Sequence, residues 1–256
     1  MYSPYVMNTV GLIYLSFSQK ELSQKTFNTA KELFMNALSY KNQIMQNVHL
    51  GCIYKNLAQL YELALKQDLG GYWLLFREAI TNYRTAQRYL DHYNYPYDFA
   101  LISFKLSQLY FQYWKFSNDI QALRDAVYFL RAAEKPYTQI TFPELWSKIE
   151  GYLGFYLSLL GLFSKSNDIS MLAIRSYKNK QQVYRKELYP VMWAKIQENI
   201  ANVYYNIGKN SRDKKAFAEA IDYYQSALKI YENKKLQQEI SIVNSSMDKV
   251  MKAWRA

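Results

Sequence analysis

Two histidines, His49 and His92, and one cysteine, Cys52, are the residues of this 256-residue chain best suited to transition-metal chemistry, and Cys52 is its one thiol. Zinc-dependent hydrolysis needs a spacing such as His-Glu-x-x-His, or paired cysteines, that sets ligands on one helix face or at one turn, and the sequence has neither. A serine hydrolase needs the strained Gly-x-Ser-x-Gly elbow, which is also missing. The stretch IGKNS from Ile207 contains Gly-Lys-x-Ser but lacks the upstream glycine of a phosphate loop, and no strand pattern precedes it; a hairpin turn is expected there. Cys52 lies in an apolar helical pattern, as a packed thiol does. Glu150 and Glu198 occupy similar places on two helical patterns, and solvated faces are expected for both. No catalytic, metal-binding or cofactor-binding set emerges, so the expectation is a protein that is not an enzyme and carries no cofactor.

The elements that position these residues are helices. Gly 8 and Pro 5 leave few residues for the tight turns of an all-β or Rossmann-type fold. The formal charge of +11 suits acidic protein surfaces, nucleic acid or anionic lipid without choosing between them. The longest mostly apolar run, Tyr152 to Phe163, falls well short of the roughly 20 residues a membrane helix needs. The first residues lack a basic leader and a small-residue cleavage site, and with a single cysteine the expected location is the cytoplasm.

Comparing the chain with itself gives a period. A small residue three positions before a Tyr or Leu recurs as Gly11/Tyr14, Ala58/Tyr61, Ser107/Tyr110, Gly154/Leu157 and Ala201/Tyr204, in steps of 47, 49, 47 and 47. Further on in each unit come Ala30, Ala79, Ala126, Ala173 and Ala220, each four residues before a large side chain: Phe34, Tyr83, Leu130, Tyr177 and Tyr224. Three residues later stand Ala37, Ala86, Ala133, Lys180 and Ala227, with Lys180 the exception. A competing alignment pairs the SNDI at Ser117 with the SNDI at Ser166, shifts this register by two and frees Lys180 from facing the core. Within a unit the apolar spacing is helical twice over: Ile196, Ile200, Val203 and Ile207 line one helix face, and Ala220, Tyr224, Ala227 and Tyr231 line a second. Each unit therefore reads as a helical hairpin that completes its core by stacking on the next.

The small residue and Tyr of the first helix, with Ala, an aromatic and Ala in the second, resemble tetratricopeptide repeats, and FAEAIDYYQSALKIY from Phe217 is a close match to that family's second helix. Each unit is about 13 residues longer than the family's usual ~34. The aromatic-Pro-x-x-Trp openings at Phe142 and Tyr189 are similar to those of an extended bacterial type. Proline at a helix's first turn fixes where each hairpin starts, and Trp146 and Trp193 are expected to pack on the preceding hairpin. The fold expected is all-α: a right-handed solenoid of about five antiparallel hairpins in one domain, with units near 4–47, 48–94, 95–141, 142–188 and 189–235 and a cap helix over 236–254.

The resemblance implies that the first helix of each hairpin lines a concave binding wall. Its inward residues would be Tyr5, Asn8, Leu12 and Leu15; Lys55, Gln59 and Glu62; Phe104, Gln108 and Phe111; Lys148, Phe155 and Ser158; and Lys195, Asn202, Tyr205 and Asn206. Rings, amides and lysines together suit an extended peptide or protein segment, with the lysines selecting acidic side chains. The family's carboxylate clamp is incomplete, because Lys105 and Tyr152 stand where Asn and Arg belong. A basic strip of Arg175, Lys178, Lys180, Arg185 and Lys186 offers a second contact, for an acidic partner or for nucleic acid within a larger complex. The expected function is an adaptor or scaffold; the alternatives are a nucleic-acid-associated subunit and a peptide-sensing regulatory domain.

Overall fold

The computed structural model describes residues 3–17, 22–40 and 46–255, so parts of the first expected unit, at 18–21 and 41–45, lie outside the described residues. Among these, every regular element is an α-helix: α1 (Pro4–Phe17), α2 (Gln24–Ser39), α3 (Asn47–Lys66), α4 (Tyr72–Tyr89), α5 (Pro96–Ser117), α6 (Ile120–Glu134), α7 (Pro143–Phe163), α8 (Asn167–Val183), α9 (Pro190–Ser211), α10 (Lys214–Asn233) and α11 (Gln237–Arg255). They form the five hairpins and the final helix that the repeat implies. The chain divides into two compact units, Met1–Leu109 and Tyr110–Ala256, with the division inside α5. In the first, α1 pairs with α2 and α3 with α4, and α2 packs on α3. In the second, α7 pairs with α8 and α9 with α10, while α11 covers α10. The ring of Tyr110 stacks on Phe129 at 5.4 Å and joins the end of α5 to α6.

In the last three hairpins the additional length lies mainly in the helices, not in the turn inside each hairpin. Helices α5, α7 and α9 run for 22, 21 and 22 residues, and each starts at a proline, whose missing N–H costs nothing in a first turn. The turns inside these hairpins are two or three residues long and end on a left-handed residue (Asn118, Lys165 or Arg212, φ between 52° and 54°) followed by an N-cap (Asp119, Ser166 or Asp213). The N-cap side chain accepts from a backbone N–H of the next helix's first turn and so satisfies one of its free donors. The exception is the α3–α4 connection, where Gly70 and Gly71, at φ 82° and 65°, belong to a longer loop. That loop accounts for the single step of 49.

The core follows the repeat position by position. All five alanines of the second helices, Ala30, Ala79, Ala126, Ala173 and Ala220, are fully buried, as are Ala37, Ala86, Ala133 and Ala227. In α8 the buried residues Ser170, Ala173, Ser176 and Tyr177 match Leu123, Ala126, Phe129 and Leu130 of α6 at intervals of 47. The alignment on the two SNDI segments is thus incorrect, and Lys180 does stand in an alanine's register. The small residues of the first helices allow close approach: a Cβ on Gly11 would lie 2.7 Å from the Phe34 ring, and one on Gly154 2.7 Å from the Tyr177 ring. Trp193 packs on the cluster formed by its own hairpin and α11, and Lys186 of the preceding unit lies over its ring at 5.1 Å.

Gly154→Ala tests the close approach. Three Tyr177 ring atoms lie within 3.0 Å of the added methyl's position, so overpacking at the upper end of the usual 1–3 kcal/mol range is expected to exceed the ~1 kcal/mol gained in helix propensity. Urea unfolding followed by circular dichroism should show a lower midpoint; an unchanged or higher one would refute the packing.

Candidate partner-binding site

The residues with the most chemical potential are not brought together. His49 packs edge-on to Tyr5 and His92 lies against Tyr93, and among the described residues no three His, Cys, Asp or Glu side chains are grouped to hold a metal. Burial pushes the Cys52 thiol above its ordinary pKa, the opposite of what a reactive cysteine needs. The IGKNS stretch is not a turn: it forms the end of α9, with Gly208 buried against the Phe217 ring and Arg212 making the turn. A glycine is tolerated inside that helix because Phe217 occupies the space a side chain would fill.

Glu150 and Glu198 are not on solvated faces but buried, at 1% and 6% exposure. Glu198 accepts from Lys195 at 2.9 Å and from the Tyr231 hydroxyl at 3.2 Å, so its charge is balanced. Glu150 belongs to a polar contact that repeats between hairpins at intervals of 47: Gln87 donates to Ser103 at 2.7 Å, Gln181 accepts from Gln197 at 3.1 Å, and between them Glu134 faces Glu150. Burial first, and then the negative charge of Glu134, pushes the Glu150 carboxyl up to about 7, even though Asn179 donates to it at 2.6 Å.

The face of the first helices differs between the two units. In the first, its polar groups are tied to one another: Lys55 pairs with Asp98 at 2.7 Å, and Glu62 accepts from Lys66 (2.7 Å), Lys105 (3.1 Å) and the buried Tyr83 hydroxyl (2.8 Å). Burial alone would raise the Glu62 carboxyl, but Lys105, Lys66 and Tyr83 outweigh it and hold it below its ordinary pKa. Gln59 lines a small cavity among Leu15, Glu62 and Lys105, and Leu15 is buried where an exposed wall residue was expected. Phe104 and Gln108 of α5 are half-buried. In the second unit the face is more open. Phe111 stacks on Tyr156 at 4.3 Å and meets Phe155 edge-on at 5.5 Å, leaving Phe155 43% exposed. Lys148 is exposed, Asn202 accepts from Tyr224 at 2.6 Å, Tyr205 leans on Phe217, and Asn206 is half-buried.

Solved structures share this arrangement. The crystal structure of MamA protein is similar over 90% of this chain and 94% of that chain, with a TM-score of 0.54 and 18% identity. The fold is a helical-hairpin solenoid. Together with the five hairpins, the likeness fits a tetratricopeptide-like fold, and at that identity it concerns fold alone. No protein-family model matches the chain, and no curated protein does.

The basic strip does not stay together. Arg175, Lys178, Arg185 and Lys186 are exposed, whereas Lys180 turns from the opposite face of α8 toward α7 and lies over the Tyr184 ring at 5.6 Å. A groove of about 900 Å³ in the first unit, between α2 and α4 and lined by Phe27, Met35, Tyr61 and Leu74, lies outside the first-helix face that the resemblance implies. The step of 49, which places the Gly70–Gly71 loop at its edge, was its one mark in the sequence.

The two buried carboxylates give opposite pH slopes. Glu150 binds its proton more tightly folded than unfolded, so its contribution is greatest below its ordinary value of 4.5 and is lost as pH rises through about 7. Glu62, with a lowered folded pKa, contributes above the ordinary carboxylate value and loses that contribution on acidification. Glu150→Gln is expected to remove the loss of thermal stability between about pH 5 and about pH 8; a variant as pH-dependent as the parent would refute the pairing with Glu134. Glu62→Gln should cost about 1–3 kcal/mol near neutral pH, read by denaturant unfolding.

Proposed function

We propose that the chain is a non-catalytic adaptor that binds a protein or peptide segment on the face of its first helices. The observation that supports this reading is the open part of that face, where Phe155 stands partly exposed on the Phe111–Tyr156 stack and Lys148 has no carboxylate within 4.0 Å among the described residues. Rings of this kind hold apolar side chains, free amides such as Asn206 bond an extended backbone, and an unpaired lysine selects an acid. Lys55, Lys66 and Lys105 on the first helices of the first unit are already paired, so selection for charge is assigned to the second. In this reading the repeats are tetratricopeptide repeats of the extended bacterial type, the 256 residues act as one binding array, no cofactor takes part, and the cytoplasm is the setting. Nucleic acid would be met only through a larger complex, at Arg175, Lys178, Arg185 and Lys186.

Affinity capture from native lysate with mass spectrometry tests the proposal, comparing the parent with a Phe155→Ala, Asn206→Ala variant. Both residues contribute little to the core, so the variant should fold as the parent does while recovering its partners at about a tenth of the level, in line with loss of an interface anchor. Equal recovery by both proteins would sink the reading. Binding to random RNA that survives about 150 mM salt would favour the nucleic-acid alternative.

A further inference from the structure

Two departures from the repeat meet in space. Lys180 replaces an alanine that is fully buried in the other four hairpins, where a lysine would be driven into the core. Facing it, Gly151 stands three residues before the small residue of its helix, where the other first helices carry Asn8, Lys55, Phe104 and Glu198. A Cβ on Gly151 would lie 3.0 Å from the Lys180 Nζ and 3.1 Å from its Cδ. The lysine stem therefore crosses α7 through the gap the glycine leaves. Its ammonium emerges in a groove of about 560 Å³ lined by Glu144, Leu145, Lys148, Phe155 and Tyr184.

The charges there are unbalanced. Among the described residues no carboxylate lies within 4.0 Å of Lys148 or Lys180, although Lys55, Lys105 and Lys195 on other first helices each have one. Burial lowers the Lys180 pKa, so the free protein holds a partly desolvated cation, with the Tyr184 ring beside it, at the edge of the groove. An incoming anion would offset that cost. Lys148, Gly151 and Phe155 follow at i, i+3 and i+7 on one face of α7, so the two ammonium groups and an exposed ring border the same space. A phosphate chain suits this groove poorly: Glu144 stands one turn before Lys148, the remaining wall is apolar or aromatic, and Arg175 and Lys178 lie on the other face of α8.

We infer that this groove holds an aspartate or glutamate side chain from an extended segment of a partner protein, with the carboxylate between Lys148 and Lys180 and a neighbouring apolar side chain on Phe155. The inference rests on the adaptor reading and specifies which part of the face selects charge.

Arrays of short amidated peptides with randomised flanks, identical except for a central Glu or Gln, test it against the full-length protein. The parent should prefer the Glu array by about tenfold. Lys180→Met, which keeps the stem and removes the charge, should lose the preference while melting no lower than the parent. Gly151→Ala should lose it too, because the blocking atoms are the far end of a flexible side chain that the methyl displaces at little cost. Preference retained by Lys180→Met, or equal binding of both arrays by the parent, overturns the inference and leaves the adaptor reading standing. Binding to neither array overturns both. A labelled single-stranded oligonucleotide that binds the parent more tightly than the peptides and is released by Lys180→Met assigns the groove to nucleic acid instead.

Discussion

Everything in this protein depends on how closely two helices approach at one small residue. Where Gly11 or Gly154 stands, the ring of Phe34 or Tyr177 lies against the backbone of the opposite helix, at a distance no side chain could share. That contact sets the depth at which each second helix docks, and depth decides what its longer side chains reach. Tyr83 and Tyr224 extend past the first helix so that their hydroxyls bond Glu62 and Asn202, residues of the face that would meet a partner. The hydrophobic contact within a hairpin thereby determines which polar groups on its outer face are already engaged.

Between hairpins the constraint is of another kind. A buried polar slot recurs as Gln87 with Ser103 and Gln181 with Gln197, and neutral groups fill it without electrostatic penalty. Glu134 and Glu150 fill the same slot with two acids, and burial together with the facing carboxyl holds the Glu150 proton up to about pH 7. One repeat so acquires a proton-dependent joint that its neighbours lack. The first unit has its own buried acid, Glu62, but surrounds it with two lysines and a tyrosine hydroxyl, and the sign of the pH response reverses. Two buried acids at different repeat positions respond oppositely because partners, not burial alone, decide the charge state.

Exceptions to the repeat carry the functional argument. Lys180 alone reads as an error in a core position, and Gly151 alone as a weak point in a helix. Paired, each explains the other: the glycine provides the passage and the lysine uses it. The result is a half-buried cation that shares a groove with a second lysine and an exposed ring, neither lysine having a carboxylate within 4.0 Å among the described residues.

The period in the sequence was enough to determine the hairpins, their prolines and the buried alanines, because helix spacing and close packing impose the same residue sizes at every turn of a repeating structure. Cys52, expected as a packed thiol, is half-buried. The sequence did not show that Glu150 and Glu198 are buried, that Lys55 and Lys195 are neutralised, or that IGKNS continues a helix. Those outcomes depend on partners 3 to 43 residues away, Glu198 for Lys195 and Asp98 for Lys55, and on a ring, Phe217, that fills the space beside Gly208. Periodicity specifies which residues face inward; which of the inward polar groups find a partner is decided by tertiary packing, since an ion pair or a passage through a glycine exists only when two helices are laid side by side.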